Sequence, residues 1–335
     1  MTELERIAAA ARKAVIQAAT VCRAVQAELD AVRAATKDDR SPVTVADFAS
    51  QALVCLTLDE ELGAEFRQLG MVAEEDANFL RSADHVQYLE ATLRAAHAAR
   101  PELTAEQLLD AIGRGSGEGG SGRFWTLDPI DGTKGFLRAQ QYAIALGLVE
   151  DGTPTLGVVA CPNLPLDPAG PVDRADPSGS LYVAWRDGGA TESACLPDAP
   201  VRRTLPRCAP LARPIRVCAS VEKAHSSTSA TDLVIAKVGA DPNVLRLDSS
   251  AKYAVVARCQ ADAYLRLPTR ADYIERIWDH AAGVAVAREA GCVVSDIDGK
   301  TLDFAHGRGL EKNRGIVLAH PDAHPRLIEA IAAVL

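Results

Sequence analysis

From residue 3 to residue 30, apolar side chains recur at Leu4, Ile7, Ala8, Ala11, Val15, Ala18, Cys22, Val25 and Leu29, the spacing of one helical face. The pattern predicts a packing helix. Polar residues 36–40 interrupt it, and Ser41-Pro42 opens a second helix that runs through Leu53, Val54, Leu56 and Leu58. Thr44 and Asp47 have the spacing of a capping box, with Thr44 at the N-cap. A short apolar run at 69–73 reads as a strand ending in Glu74-Glu75-Asp76, and residues 86–112 read as helix. Residues 113–122, rich in Gly and Ser, predict a flexible loop leading into an apolar strand that ends at Asp128.

Two further apolar strands, 142–149 and 155–161, flank Glu150-Asp151-Gly152-Thr153-Pro154, a hairpin signal that predicts antiparallel sheet. Residues 163–180 read as a Pro- and Asp-rich surface loop, and 181–185 as another strand. Pro197, Pro200, Pro206, Pro210 and Pro214 mark a stiff linker, the best domain boundary in the chain. Beyond it strands (215–219, 244–247, 263–267, 292–294, 315–319) alternate with helices (229–238, 250–260, 279–290 and the C-terminal stretch). The predicted class is α/β, with an α+β domain over 1–205 carrying a largely antiparallel sheet and an α/β domain over 206–335.

Composition changes the picture only by exclusion. A chain of 335 residues, 48% apolar and 24% charged, suits two globular domains sharing an interface. Its apolar runs are shorter than a membrane span, and Met1 leads directly into an amphipathic helix, so a cytoplasmic protein without membrane partner is expected. Eight cysteines without CxxC spacing suit reduced, buried thiols, although a thiol switch at Cys161 is conceivable. A net charge of −9 argues against a nucleic-acid polymer but leaves room for phosphorylated small molecules held through cations.

The candidate chemistry centres on Asp128-Pro129-Ile130-Asp131-Gly132-Thr133. Pro129 fixes φ and Gly132 can take φ > 0, so both carboxylates and the Ile130 carbonyl can converge on one point. Hard divalent cations prefer such oxygens. The same residues also read as an Asx-type turn that only ends a strand. Glu74-Glu75-Asp76 is likewise either a solvated acidic turn or a cluster relieved by a cation. Two decoys fail on context. The 113–122 loop lacks the GK[ST] ending of a phosphate-binding loop, and Asp296-Ile297-Asp298-Gly299 comes too late in the chain for an aspartyl-phosphate phosphatase, so it reads as a β-turn.

Four stretches in order, namely Ser41 to Phe48, Glu74-Glu75-Asp76, Phe124 to Arg138 and Ile277 to Gly283, resemble the motifs of the magnesium-dependent, lithium-sensitive inositol monophosphatase superfamily. Lys134-Gly135-Phe136-Leu137-Arg138, Ser220 to Ser227, Asp248 to Tyr253 and Ala261 to Pro268 are similar to its 3'(2'),5'-bisphosphate nucleotidase branch. The resemblance implies a layered α-β-α-β-α fold and two or three Mg²⁺ ions held by Glu74, Asp128, the Ile130 carbonyl, Asp131 and Asp279. It makes Asp47 and Thr133 the pair that orients and deprotonates a metal-bound water, against the capping role that local sequence favours for Asp47. It places His225, Ser249, Lys252 and Arg266 on the substrate, a small nucleotide bisphosphate such as adenosine 3',5'-bisphosphate or its phosphosulfate, handled by a monomer. Asp279 has the competing role of capping the following helix, and His280 reads as a helix-start residue. An inositol polyphosphate 1-phosphatase and a non-catalytic metal and nucleotide sensor are the alternatives. After Arg138 the branch usually has Gly-Glu, where this chain has Ala139-Gln140.

Overall fold

The computed structural model describes residues 1–33, 41–205, 210–211, 213–221, 230–268, 270 and 272–335. The chain opens with α1 (Glu3–Arg33) and α2 (Ser41–Leu62), followed by α3 (Ala64–Gln68), β1 (Gly70–Ala73) and α4 (Ala77–Arg81). Because α2 begins three residues before Thr44, Thr44 lies inside the helix and the expected capping box does not exist. The helix expected over 86–112 is two helices, α5 (Val86–His97) and α6 (Ala105–Gly113). Pro101 has no N–H to continue the first, and Thr104 caps the second in a true capping box with Gln107.

β2 (Arg123–Asp131), α7 (Thr133–Leu137), β3 (Ala143–Glu150), β4 (Thr153–Cys161), β5 (Ser180–Trp185), β6 (Gly189–Ala194) and β7 (Val201–Thr204) complete the first half. β1 to β7 form one sheet in sequence order, parallel only at β1/β2 and antiparallel elsewhere. β6 and β7 were not expected, and β7 falls within the stretch read as linker. The second half comprises β8 (Val217–Ala219), α8 (Ala230–Val238), β9 (Leu245–Arg246), α9 (Ala251–Ala257), β10 (Ala263–Arg266), α10 (Ala281–Glu289), β11 (Val293–Ser295), β12 (Ile316–Ala319) and α11 (His324–Ala332). Its sheet has the order β11-β12-β10-β8-β9.

The period-2 alternation of β3 decides the layering. Ile144, Leu146 and Leu148 face a core shared with α1 and α2, whereas Ala143, Ala145 and Val149 face a second core built with α9, α10 and the smaller sheet. The outer face of the smaller sheet is covered by α8 and α11. The order of layers is therefore α-β-α-β-α, as the motif resemblance implies. Among the described residues no helix is long and apolar enough to cross a membrane.

Candidate active site

The first sheet delivers two acidic ends side by side. β1 pairs with β2 in parallel, Ala73 beside Leu127, and Glu74 N–H donates to the Leu127 carbonyl at 3.2 Å. Glu74 and Asp128 therefore emerge next to each other, close enough for their carboxyls to share a proton. The pairing of β2 with β3 slips between Asp128, opposite Ala145, and Asp131, opposite Ala143, so Pro129 and Ile130 bulge from the ladder, and Gly132 at φ 87° turns the chain beyond Asp131. The Asp131 carboxylate accepts hydrogen bonds from the backbone N–H and the hydroxyl of Ser250, and Ser250 Oγ also lies 3.1 Å from the Asp279 carbonyl. Ser250 thus ties the motif turn of the first half to the Asp279 segment of the second.

Asp279 does not cap α10. His280 stands at the N-cap without a side-chain cap bond, so the competing role for Asp279 falls away. Its half-buried carboxyl is pushed up to about 8 by burial and by the charges of Asp131 and Glu74, against a smaller opposing pull from Arg266. Asp128, 2% exposed, is raised well above the usual carboxylate range by burial, then by Glu74, Asp131, Asp279 and Asp47. Burial and Asp131 also raise Glu74 at the rim of the cleft. A positive charge placed among these carboxylates would relieve that mutual repulsion. Asp128 Oδ1 is buried with no hydrogen-bond partner, an atom that a cation would satisfy.

α2 supplies the next wall. Asp47, Ser50 and Gln51 share one helical face. Ser50 Oγ donates to the Pro129 carbonyl at 2.9 Å, while Gln51 grips Glu75 through both its amide atoms, donating to Glu75 O at 2.9 Å and accepting from Glu75 N at 3.2 Å. One turn earlier, Asp47 is buried and raised by desolvation and by the charges of Glu75 and Glu74. Thr133 opens α7 and is exposed. Among the described residues no hydrogen bond joins Thr133 to Asp47.

Two cations stand beside the acids. Lys252 on α9 is buried, its Nζ 3.5 Å from the Leu247 carbonyl and 5.3 Å from the Tyr264 ring centroid. Burial lowers its pKa and Asp131 partly restores it. Arg266, at the end of β10, donates from Nε to Glu275 Oε2 at 2.7 Å and from one terminal nitrogen to the Tyr273 hydroxyl at 3.3 Å. Ser249 is held at φ 68° against Gly132, and its Oγ accepts from Ala251 N at 3.2 Å. His225 lies outside the described residues.

Sequence reasoning missed Ser50, Gln51, Ser250 and Glu275. Glu275 is 4% exposed, and its Oε2 also faces His280 Nε2 at 3.3 Å, while His280 Nδ1 stands 2.8 Å from the Tyr253 hydroxyl. Burial alone would raise Glu275, but His280 and Arg266 hold it to about 2. As a carboxylate it accepts from His280 Nε2–H, which leaves Nδ1 to accept from Tyr253. Glu275, Asp279 and His280 could also be grouped as metal ligands by proximity, yet Arg266 and His280 already occupy Glu275 as donors. The 113–122 loop is tied down: Gly117 N donates to Met71 O at 2.8 Å and Ser116 bridges to Val72. Asp296 to Gly299 is a turn closed by Gly299 N to Asp296 O at 3.1 Å. Cys161 is fully buried and burial raises its thiol, which speaks against thiolate reactivity in the folded chain.

The profile of the inositol monophosphatase family matches residues 3–335. A 3'(2'),5'-bisphosphate nucleotidase of Oryza sativa is 41% identical over 336 residues, covering 96% of this chain and 92% of its own. One of Schizosaccharomyces pombe is 39% identical, covering 97% and 94%. Among solved structures, the inositol monophosphatase of Anabaena (Nostoc) superposes with a TM-score of 0.63 at 20% identity, covering 100% of this chain and 98% of that one. At that identity the likeness speaks for the fold alone.

Proposed function

The chain belongs to the inositol monophosphatase family, and from that premise we propose that it is a metal-dependent 3'(2'),5'-bisphosphate nucleotidase. It removes the 3'-phosphate of adenosine 3',5'-bisphosphate, and of the corresponding phosphosulfate, releasing AMP from the former. The observation that carries this reading is an acidic cluster, Glu74, Asp128, Asp131 and Asp279, placed beside two cations, Lys252 and Arg266. That arrangement offers separate places for two phosphates of opposite demands. The reacting one belongs with the acids through cations, and the other belongs with Lys252 as a point charge and with the Arg266 guanidinium.

Glu74, Asp128, Asp131, Asp279 and the Ile130 carbonyl would hold Mg²⁺, two or three ions, and the orphaned Asp128 Oδ1 supports that fit. Bound Mg²⁺ would supply Lewis acidity toward the phosphoryl oxygens and make the attacking water a stronger acid. Thr133 would orient the attacking water, and Asp47, buried beside Glu75 and Glu74, would accept its proton. Ser249 and His225 would complete substrate binding, and the enzyme acts as a monomer on a small molecule.

Phosphate release tests the reading across adenosine 3',5'-bisphosphate, inositol 1,4-bisphosphate, inositol 1-phosphate and fructose 1,6-bisphosphate, each titrated with Mg²⁺. The nucleotide should be preferred, and release should require Mg²⁺. A preference for inositol 1,4-bisphosphate would make the chain an inositol polyphosphate 1-phosphatase, and no release from any substrate would make it a sensor. Asp47→Asn should lower kcat by roughly 10²–10⁴, the range of a general base.

A further inference from the structure

Arg308 lies on an irregular segment between β11 and β12 and belongs to none of the groups assigned above. One terminal nitrogen donates to the Ala73 carbonyl at 2.6 Å, and the other donates to the Gly117 carbonyl at 2.8 Å. Its guanidinium carbon stands 4.8 Å from the centroid of the Trp278 ring. Ala73 immediately precedes Glu74, and Trp278 immediately precedes Asp279. A single planar group therefore touches both chain segments that deliver Glu74 and Asp279.

The backbone around it is bonded to residues 275–277 of the second half. Ile277 N donates to Arg308 O at 3.2 Å, Leu310 N donates to Glu275 O at 2.9 Å, and Gly309 bridges to Arg276. From that base the side chain crosses to the end of β1, where Ala73 N is itself bonded to Gly115 O at 2.9 Å. Lysine could not replace it. An ammonium is a point donor, whereas two diverging carbonyls and an aromatic face need a rigid fork with a flat surface.

We infer that Arg308 is a positioning residue for cation binding: it clasps β1 to the Trp278 segment and so sets the separation of Glu74 and Asp279. The inference rests on the reading above that these two acids hold a cation. Groups that orient metal ligands without touching the metal carry about 10- to 100-fold in affinity.

The test uses the full chain with Arg308→Gln, Arg308→Lys, Asp279→Asn as a reference, and Mn²⁺ as the probe, its binding read by electron paramagnetic resonance well below the melting temperature of each variant. Arg308→Gln should weaken Mn²⁺ binding about 10- to 100-fold and shift the Mg²⁺ activation curve for phosphate release by the same factor. In a Glu74→Gln background that loss should shrink to a small fraction of itself, because the ligand being positioned is gone. If Arg308→Gln does not fold, Arg308→Lys and Trp278→Leu, which removes the stacking face, carry the same expectation. Unchanged Mn²⁺ affinity in the folded variants, or an equal loss in the Glu74→Gln background, would overturn the clasp while leaving the assignment of the acids intact. A parent chain that binds no Mn²⁺ would overturn that assignment, and the clasp with it.

Discussion

Ala139 adopts φ 53°, a left-handed conformation in which its Cβ crowds the following carbonyl. It sits at the turn out of α7, just after Arg138, which pairs with Asp248 and donates from Nε to Gln140 Oε1 at 2.8 Å. The strain is local and has an obvious relief. Ala139→Gly should raise stability by about 0.5–1 kcal/mol, the loss of strain exceeding the entropy that glycine adds to the unfolded chain. Urea denaturation would check it, and a fall in the midpoint would mean that the turn relaxes around alanine at no cost. Glu275 makes a second prediction at this scale. Glu275→Gln keeps an acceptor for His280 but removes the charge that fixes Arg266, so KM for a bisphosphate should rise about tenfold, or ~1.4 kcal/mol, with kcat little changed. Equal loss on a monophosphate substrate would sink the idea that Glu275 acts through Arg266. Asp128 and Asp131 were legible because their chemistry is local to six residues. Glu275 was not, because a lone acid in a loop acquires meaning only from Arg266 and His280, which other elements bring to it. Ser50 and Gln51 were hidden for the same reason: their bonds go to backbone atoms far away in sequence.

Elements place Asp279 through small residues rather than through any motif. α10 lies across β3 and β4 where Gly147 and Gly157 leave the sheet bare. A Cβ at Gly157 would overlap the Ala282 carbonyl, and one at Gly147 would come within 2.9 Å of Thr126 Oγ1 and 3.1 Å of Ala282 N. On the far side of α10, a Cβ at Gly283 would enter the Tyr253 ring. The helix is thus seated between glycine and tyrosine with its own Ala281, Ala282 and Gly283, and Asp279 immediately precedes its N-cap, His280. Gly157→Ala should push α10 outward, costing about 1–3 kcal/mol of stability as overpacking does. It should also weaken divalent-cation binding, since Asp279 would move with the helix. A calorimetric titration at a temperature where the variant stays folded separates the two effects, and intact cation affinity would show that Asp279 is held by Ser250 and not by the helix seat. Periodicity revealed α1, α2, the β3–β4 hairpin and the alternation of the second half. It failed at β7, where the flanking prolines suggested a linker, because an exposed edge strand buries too little to leave an apolar pattern. It failed again at 86–112, where two amphipathic helices share one apolar face across the break at Pro101.

Across the whole molecule, the separated sheets bring like charges to one place, and the fold must tolerate them before any cation arrives. In the cation-free protein Asp279 is raised to about 8 and Glu75 to about 7, with Asp47 and Asp128 shifted the same way. In the unfolded chain the same carboxyls ionise near their ordinary values, roughly 4. Between those limits the folded state therefore binds more protons than the unfolded one, and these groups make the cation-free fold less stable as pH rises. The buried, neutral His280 acts in the opposite sense below its ordinary value, as does the lowered Lys252 over its own range, so the total need not fall steadily. Neither group is a candidate ligand. Subtracting melting temperatures without Mg²⁺ from those with saturating Mg²⁺ removes their contribution and leaves the acids. That difference should grow from pH 6 to pH 8, because at pH 6 the cation must displace protons from Asp279 and its neighbours, and at pH 8 fewer remain to displace. Calorimetry in two buffers of different ionisation enthalpy should find proton release on Mg²⁺ binding at pH 6 that diminishes toward pH 8. A difference that is flat or falling over that interval, with no proton released, would mean that the four acids do not share a cation, however closely the two sheets bring them together.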